Sequence, residues 1–195
     1  MGFQGCTSEL DFFFQMMPLS EWYSILHLTN KWKSKSADRA HRRGDAGKLD
    51  VTLKELFTYI AIIIHMGVTT FRGRKRDYWC TDPLLEHPWA RKVISRDRWE
   101  LIHRNIHISD SDEDPGDDPH FKIRGLMERT QRRFHAHWEL KGEVALDEIY
   151  HGFYGRTNLK HIGIKRKPVK EGFKFWAVSD SSGYLHTFLL DKDER

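Results

Sequence analysis

Apolar and polar positions follow a helical period over most of the first 140 residues and a strand period after that. Residues 8–32 predict two helical pieces, with Ser8 and Ser20 suited to cap them and Pro18 breaking the pattern between. Residues 33–50 (KSKSADRAHRRGDAGKLD) are basic and nearly free of large apolar groups, and predict a linker or exposed loop. Thr52 and Glu55 have the spacing of a capping box. Leu53, Leu56, Phe57, Ile60, Ala61 and Ile64 then share one helical face, which predicts a buried helix stopped by Gly67. A basic stretch, 71–76 (FRGRKR), precedes the aromatic pair Tyr78–Trp79. Ser95 can cap a further helix carrying Trp99, Ile102 and Ile106 on one side. Residues 109–119 (SDSDEDPGDDP) hold six acids and two prolines, a density of like charge that predicts a solvated loop. An amphipathic helix follows over 121–138, with Ile123, Leu126, Met127, Thr130 and Phe134 facing inward.

The texture changes at Lys141–Gly142. Val144–Ile149, Phe173–Val178 and Tyr184–Leu190 are short aromatic or β-branched runs, and Ser181–Ser182–Gly183 reads as a hairpin turn between the last two. An α+β chain is expected: helices over 1–140, then an antiparallel sheet over 141–195. No internal repeat is present.

Composition narrows the class. Seven Trp, six Tyr and twelve Phe in 195 residues exclude a disordered chain. The net charge of +4 leans weakly toward a polyanionic partner, although a slightly basic surface is the simpler account of it. Two cysteines, Cys6 and Cys80, make neither a disulfide framework nor a four-cysteine zinc site, and read as free thiols in a reducing compartment. The longest apolar stretch, Tyr59–Val68, is interrupted by His65 and is far shorter than the roughly 20 residues that span a bilayer. The N-terminus has no basic-then-apolar leader. An intracellular protein without a membrane partner is expected.

Asp147 stands inside the strand-like run VALDEI, where aspartate is unusual. Nucleotidyl-transfer enzymes place carboxylates on a rigid sheet to hold divalent ions. Taken alone, Asp147 reads more simply as an exposed acid at a strand edge. One carboxylate does not hold two metals, and the other candidates, Asp180 and Asp191, sit at strand ends where aspartate serves turns. Glu148 falls on the opposite face from Asp147 in a regular strand. The stretch 160–174 (KHIGIKRKPVKEGFK) gathers Lys160, Lys165, Arg166, Lys167, Lys170 and Lys174 against one acid, with Arg156 just before it. Such a loop suits a phosphate backbone or is a soluble surface. The twelve histidines include no HExxH and have no cysteine partners nearby, so they give no zinc signature.

The order of these motifs is similar to that of the piggyBac transposase family. ALDEIYHGFYGRTNLKHIGIKRKPVKEGFKFWAVSDSSGYLHTFLL resembles its core signature, and LHLTNKW, AIIIHMGVTTFRGRKRDYW, ISRDRWELIHRNIHISDSDE and HFKIRGLMERTQRRF resemble its upstream segments in order. The resemblance runs from about residue 10 to 190. It implies a helical dimerisation and DNA-binding region over 1–140. It also implies the first three strands of an RNase H-like (DDE-type) catalytic domain over 141–195, truncated. It further implies cut-and-paste chemistry with three aspartates and Mg2+, Asp147 matching the first of the three and Asp180 a non-catalytic position. Tyr154 stands where the family has Lys, and HIGIKRKP where a Tyr-Ile-Pro-x-Lys-Pro pattern is usual. The expectation is therefore a nuclear, transposase-derived DNA-binding protein. It would carry Asp147 as its one metal and catalytic carboxylate, be catalytically incomplete as it stands, and be compatible with a homodimer. A fragment of an active transposase and a protein-interaction remnant are the alternatives.

Overall fold

The computed structural model describes residues 5–35, 50–69, 73–82, 88–157, 160–162 and 168–191. The chain divides into two compact units, Leu19–Asp114 and Met1–Pro18 with Pro115–Arg195. This division does not follow the change of texture near residue 140.

The first unit is helical. α1 (Glu9–Met16) belongs to the other unit; α2 (Leu19–Lys35), α3 (Leu53–Val68), α4 (Pro88–Val93) and α5 (Arg96–Asn105) build this one, with a 3-10 turn at Lys75–Trp79. α2 starts directly after Pro18, so Ser20 lies in its first turn rather than capping it. It runs on to Lys35, with Lys33 and Lys35 in the last turn, where cations suit the negative end of the helix. The expected linker thus begins later than residue 33, and its residues 36–49 lie outside the described residues. Asn30 near that end clamps Val51 reciprocally: its Nδ2 donates to the Val51 carbonyl at 2.9 Å, and the Val51 N–H donates to its Oδ1 at 2.9 Å.

The capping box at Thr52 and Glu55 forms as expected. The buried face of α3 does not: Leu56, Tyr59 and Ile62 are buried, while Ala61 is exposed and Ile64 is 53% exposed. The run from Tyr59 to Val68 is apolar on nearly every side, broken only by His65, so periodicity alone selects no face. Tyr59 decides it, with its ring 5.6 Å from that of Trp99 and its hydroxyl 3.0 Å from His103 Nδ1. Gly67 lies inside the helix, which ends at Val68 with the Thr69 N–H donating to the His65 carbonyl. Ser95 caps α5, accepting from the Arg98 N–H at 3.3 Å. Trp99, Leu101 and Ile102 of α5 then join Leu56 and Ile62 as the most deeply buried side chains. Each such aliphatic group stabilises the fold by about 1.5–3 kcal/mol.

The second unit sets α1 and α6 (Phe121–His137) with a sheet of β1 (Val144–Gly152), β2 (His161–Ile162), β3 (Glu171–Asp180) and β4 (Leu185–Leu190). The three expected strands are present, antiparallel, with β3 central between β1 and β4. The two-residue β2 is an addition, pairing with the start of β3. The hairpin turn forms as expected: Gly183 adopts φ +83°, and its N–H donates to the Asp180 carbonyl at 3.0 Å. Phe134 of α6 packs on β4, 5.9 Å from Phe188 and 6.0 Å from Tyr184 between ring centres. Its neighbours on the predicted inward face, Ile123, Leu126, Met127 and Thr130, are half-buried.

The acidic segment is a loop, and residues 112–117 are exposed as expected. Its ends are anchored. Asp110 and Asp112 form ion pairs with Lys31 and Lys35 of α2. Asp118 is gripped by the Arg124 guanidinium, which holds its carboxyl well below the usual range. No helix among the described residues is long and apolar enough to cross a membrane.

Candidate nucleic-acid interface

Asp147 lies on β1 opposite Ala177 of β3, exposed, with Oδ1 accepting the Glu148 N–H at 2.7 Å. Strand alternation turns Glu148 to the other face. There Lys174 Nζ lies 2.8 Å from Glu148 and 3.4 Å from Asp191, and 4.1 Å above the Trp176 ring. The hydrogen bond that Lys174 donates to Glu148 is the main cause that raises its pKa. Trp176 Nε1 donates to Asp191 Oδ1 at 3.3 Å. Asp180 is buried and works for the turn. It accepts Trp138 Nε1 at 2.6 Å and the Ser182 N–H at 3.0 Å, and its carboxyl is lowered chiefly by the Ser182 hydroxyl.

These positions do not fit a two-metal site. Asp147 contributes one carboxylate, Glu148 and Asp191 are committed to Lys174 with Glu148 on the far face, and Asp180 is enclosed by its turn. Among the described residues no three His, Cys, Asp or Glu are grouped to hold a metal ion. No chemical step through a metal is derived from them.

The basic residues divide by what they touch. Arg156 and Lys170 are exposed. Lys160 pairs with Glu171 at 2.8 Å and donates to the Gly155 carbonyl at 3.0 Å, leaving its side chain 13% exposed. Lys174 is tied as above, its side chain 14% exposed. Lys165, Arg166 and Lys167 lie outside the described residues. No local pattern signals that Lys160 and Lys174 are occupied, because their acids come from neighbouring strands and only the register brings them together. The second basic stretch retains Arg74 and Arg76, 73% and 54% exposed, each 3.9 Å from Asp77.

A groove of about 650 Å³ runs between α6 and β4, lined by Arg124, Gln131 and Arg132 on one side and Phe188 and Leu190 on the other. At its edge His135 stacks on His186 at 4.2 Å, with His135 Nε2 3.0 Å from the Thr187 hydroxyl. The helix and strand are some fifty residues apart in sequence, so no local pattern joins them.

The Transposase IS4 family matches residues 8–195. The human PiggyBac transposable element-derived protein 2 is 32% identical over 140 residues, covering 72% of this chain and 23% of the relative. The human PiggyBac transposable element-derived protein 3 is 26% identical over the same shares. The chain thus spans about a quarter of the length of these relatives. A piggyBac transposase in a synaptic complex with hairpin DNA shares the fold, with a TM-score of 0.84 at 20% identity over 98% of this chain and 40% of that one. By these matches, the chain belongs to the Transposase IS4 family and, within it, to the piggyBac family.

Proposed function

We propose that this chain is a piggyBac transposase-derived DNA-binding protein whose sheet is the opening of an RNase H-like domain. The observation that carries this reading is the likeness, over nearly the whole chain, to a transposase held in a complex with hairpin DNA. The basic segment from Arg156 to Lys174 is the phosphate contact. Arg156 and Lys170 are exposed for it, Lys165, Arg166 and Lys167 add charge, and Lys160 and Lys174 brace the strands behind. A DNA partner goes with a nuclear protein, and the family resemblance goes with a homodimer.

A second reading, part of a cut-and-paste DNA transposase, is favoured by one observation: Asp147 is exposed on a rigid strand while its neighbour Glu148 is neutralised. Asp147 is then the first carboxylate of a Mg2+ site whose remaining ligands are not among the described residues. The test of the first reading is a fluorescence-anisotropy titration of the purified chain against labelled duplex DNA from about 50 to 200 mM salt. Binding should fall linearly in log–log form; absence of binding at the lowest salt refutes the reading. Mg2+-dependent nicking lost in Asp147→Asn would favour the second.

A further inference from the structure

The C-terminal end of α2 presents three lysines, Lys31, Lys33 and Lys35, around Trp32. Lys31 and Lys35 are one turn apart and share a face. Instead of standing in solvent, that face carries a loop of the same chain. Lys31 Nζ is hydrogen-bonded to Asp110 and 3.1 Å from Asp112, and Lys35 Nζ is hydrogen-bonded to Asp112. Asp112 therefore bridges both cations. Trp32 stacks on His107 at 4.2 Å, and the His107 N–H donates to the buried Thr29 hydroxyl at 3.2 Å, fixing the base of the loop. Beyond that base the loop holds its own shape. The Asp112 N–H donates to Asp110 Oδ1 at 3.2 Å, and the Glu113 N–H donates to the Asp110 carbonyl at 3.1 Å.

We propose that this end of α2 is a second contact for the DNA backbone, kept covered by Asp110 and Asp112, which stand where phosphates would sit. The proposal rests on the DNA reading above and adds to it a site and its regulation. Charge complementarity selects the occupant. Two cations one helical turn apart, beside a stacked aromatic pair, suit a run of phosphates, and two carboxylates already imitate it. The cover is displaceable. All four side chains are partly exposed, from 20% at Asp110 to 54% at Asp112, and exposed ion pairs contribute little net stability. No helix or strand has to unfold for residues 110–112 to leave. A lone anion competes poorly with two carboxylates tethered at high effective concentration, whereas a polyanion that also engages the rest of the protein competes well.

The experiment compares salt-dependent DNA binding of the full chain with that of Asp110→Asn/Asp112→Asn and of a charge-matched control in the same loop, Glu113→Gln/Asp117→Asn. Uncovering the lysines should tighten binding about three- to ten-fold and steepen the salt slope by up to about two, while the control stays within about two-fold. Adding Lys31→Ala/Lys35→Ala should abolish that gain in the uncovered protein and change the original chain much less. Equal gains in the two acid variants reduce the effect to net charge and overturn the proposal, as does a gain that survives loss of both lysines. In those cases the original chain still binds DNA and the parent reading stands; if no variant binds at the lowest salt, both fall.

Discussion

Glu55 ties the start of α3 to α5 in the helical unit. Its carboxylate closes the capping box of α3, accepting the Thr52 N–H at 2.9 Å. It also takes a two-pronged hydrogen bond from Arg98 of α5, Nε to Oε1 at 2.7 Å and Nη2 to Oε2 at 2.9 Å, while the same Nη2 donates to the Asp50 carbonyl at 2.8 Å. The Arg98 guanidinium, ahead of the cap, lowers the Glu55 pKa from 4.5 to about 2. Taken at face value that difference is an upper bound of about 3 kcal/mol. The side chains are 29% and 18% exposed, and solvent screening brings the expected contribution to about 1–2 kcal/mol. Because the folded pKa is depressed, this stability is present above about pH 4.5 and is lost as the pH falls toward about 2. Glu55→Gln keeps an acceptor for the cap but removes the ion pair. It should cost about 1–2 kcal/mol at pH 7, or roughly 4–15 °C in Tm for a unit of this size. The buried Trp22 and Trp99 report on the unit by fluorescence during urea unfolding. The penalty should shrink steadily between pH 4.5 and pH 2.5. A penalty that is equal at both pH values, or absent at pH 7, refutes the reasoning.

Other expectations follow from single contacts. In Gly172→Ala the new Cβ would lie 2.1 Å from the His151 carbonyl oxygen, a clash with backbone rather than a movable side chain. The sheet unit should lose about 1–3 kcal/mol or more in chemical denaturation, and an unchanged midpoint would show that the two strands separate freely. Lys174→Met removes the cation shared by Glu148 and Asp191, and should lower the denaturation midpoint of the sheet while DNA affinity in the surviving fold changes little. A large affinity loss at unchanged stability would return Lys174 to the DNA-contacting set. Limited proteolysis should cut first within residues 112–117, and Lys31→Ala/Lys35→Ala should extend cutting to 110–112. Identical cleavage patterns would mean that the ion pairs do not hold the loop.

The parts of this fold that were legible in the sequence are those with local causes. The Thr52–Glu55 and Ser95 caps, the strand runs and the Ser-Ser-Gly turn each depend on residues a few positions apart, and each formed as expected. The buried face of α3 was not legible, because its apolar run offers several faces and only Tyr59 meeting Trp99 and His103 chooses among them. The exposed strand position of Asp147 and the turn role of Asp180 could be read from their strand context. The engagement of Lys160 and Lys174 could not, since Glu171 and Glu148 reach them across strands. Nor could the anchoring of the acidic loop, which joins residues nearly eighty positions apart. Charge density identified that loop as solvated but carried no information about which cations it meets.

If the segment from Arg156 to Lys174 holds DNA by its phosphates, as proposed, binding must weaken with salt in proportion to the phosphates it meets. Duplex affinity should be measured across salt concentrations for the chain and for Lys165→Ala/Arg166→Ala/Lys167→Ala. The triple variant should bind all DNA sequences more weakly alike, with a salt slope flattened by up to about three. An unchanged affinity and slope would leave the segment as solvated surface and move the contact to Arg72, Arg74, Lys75 and Arg76.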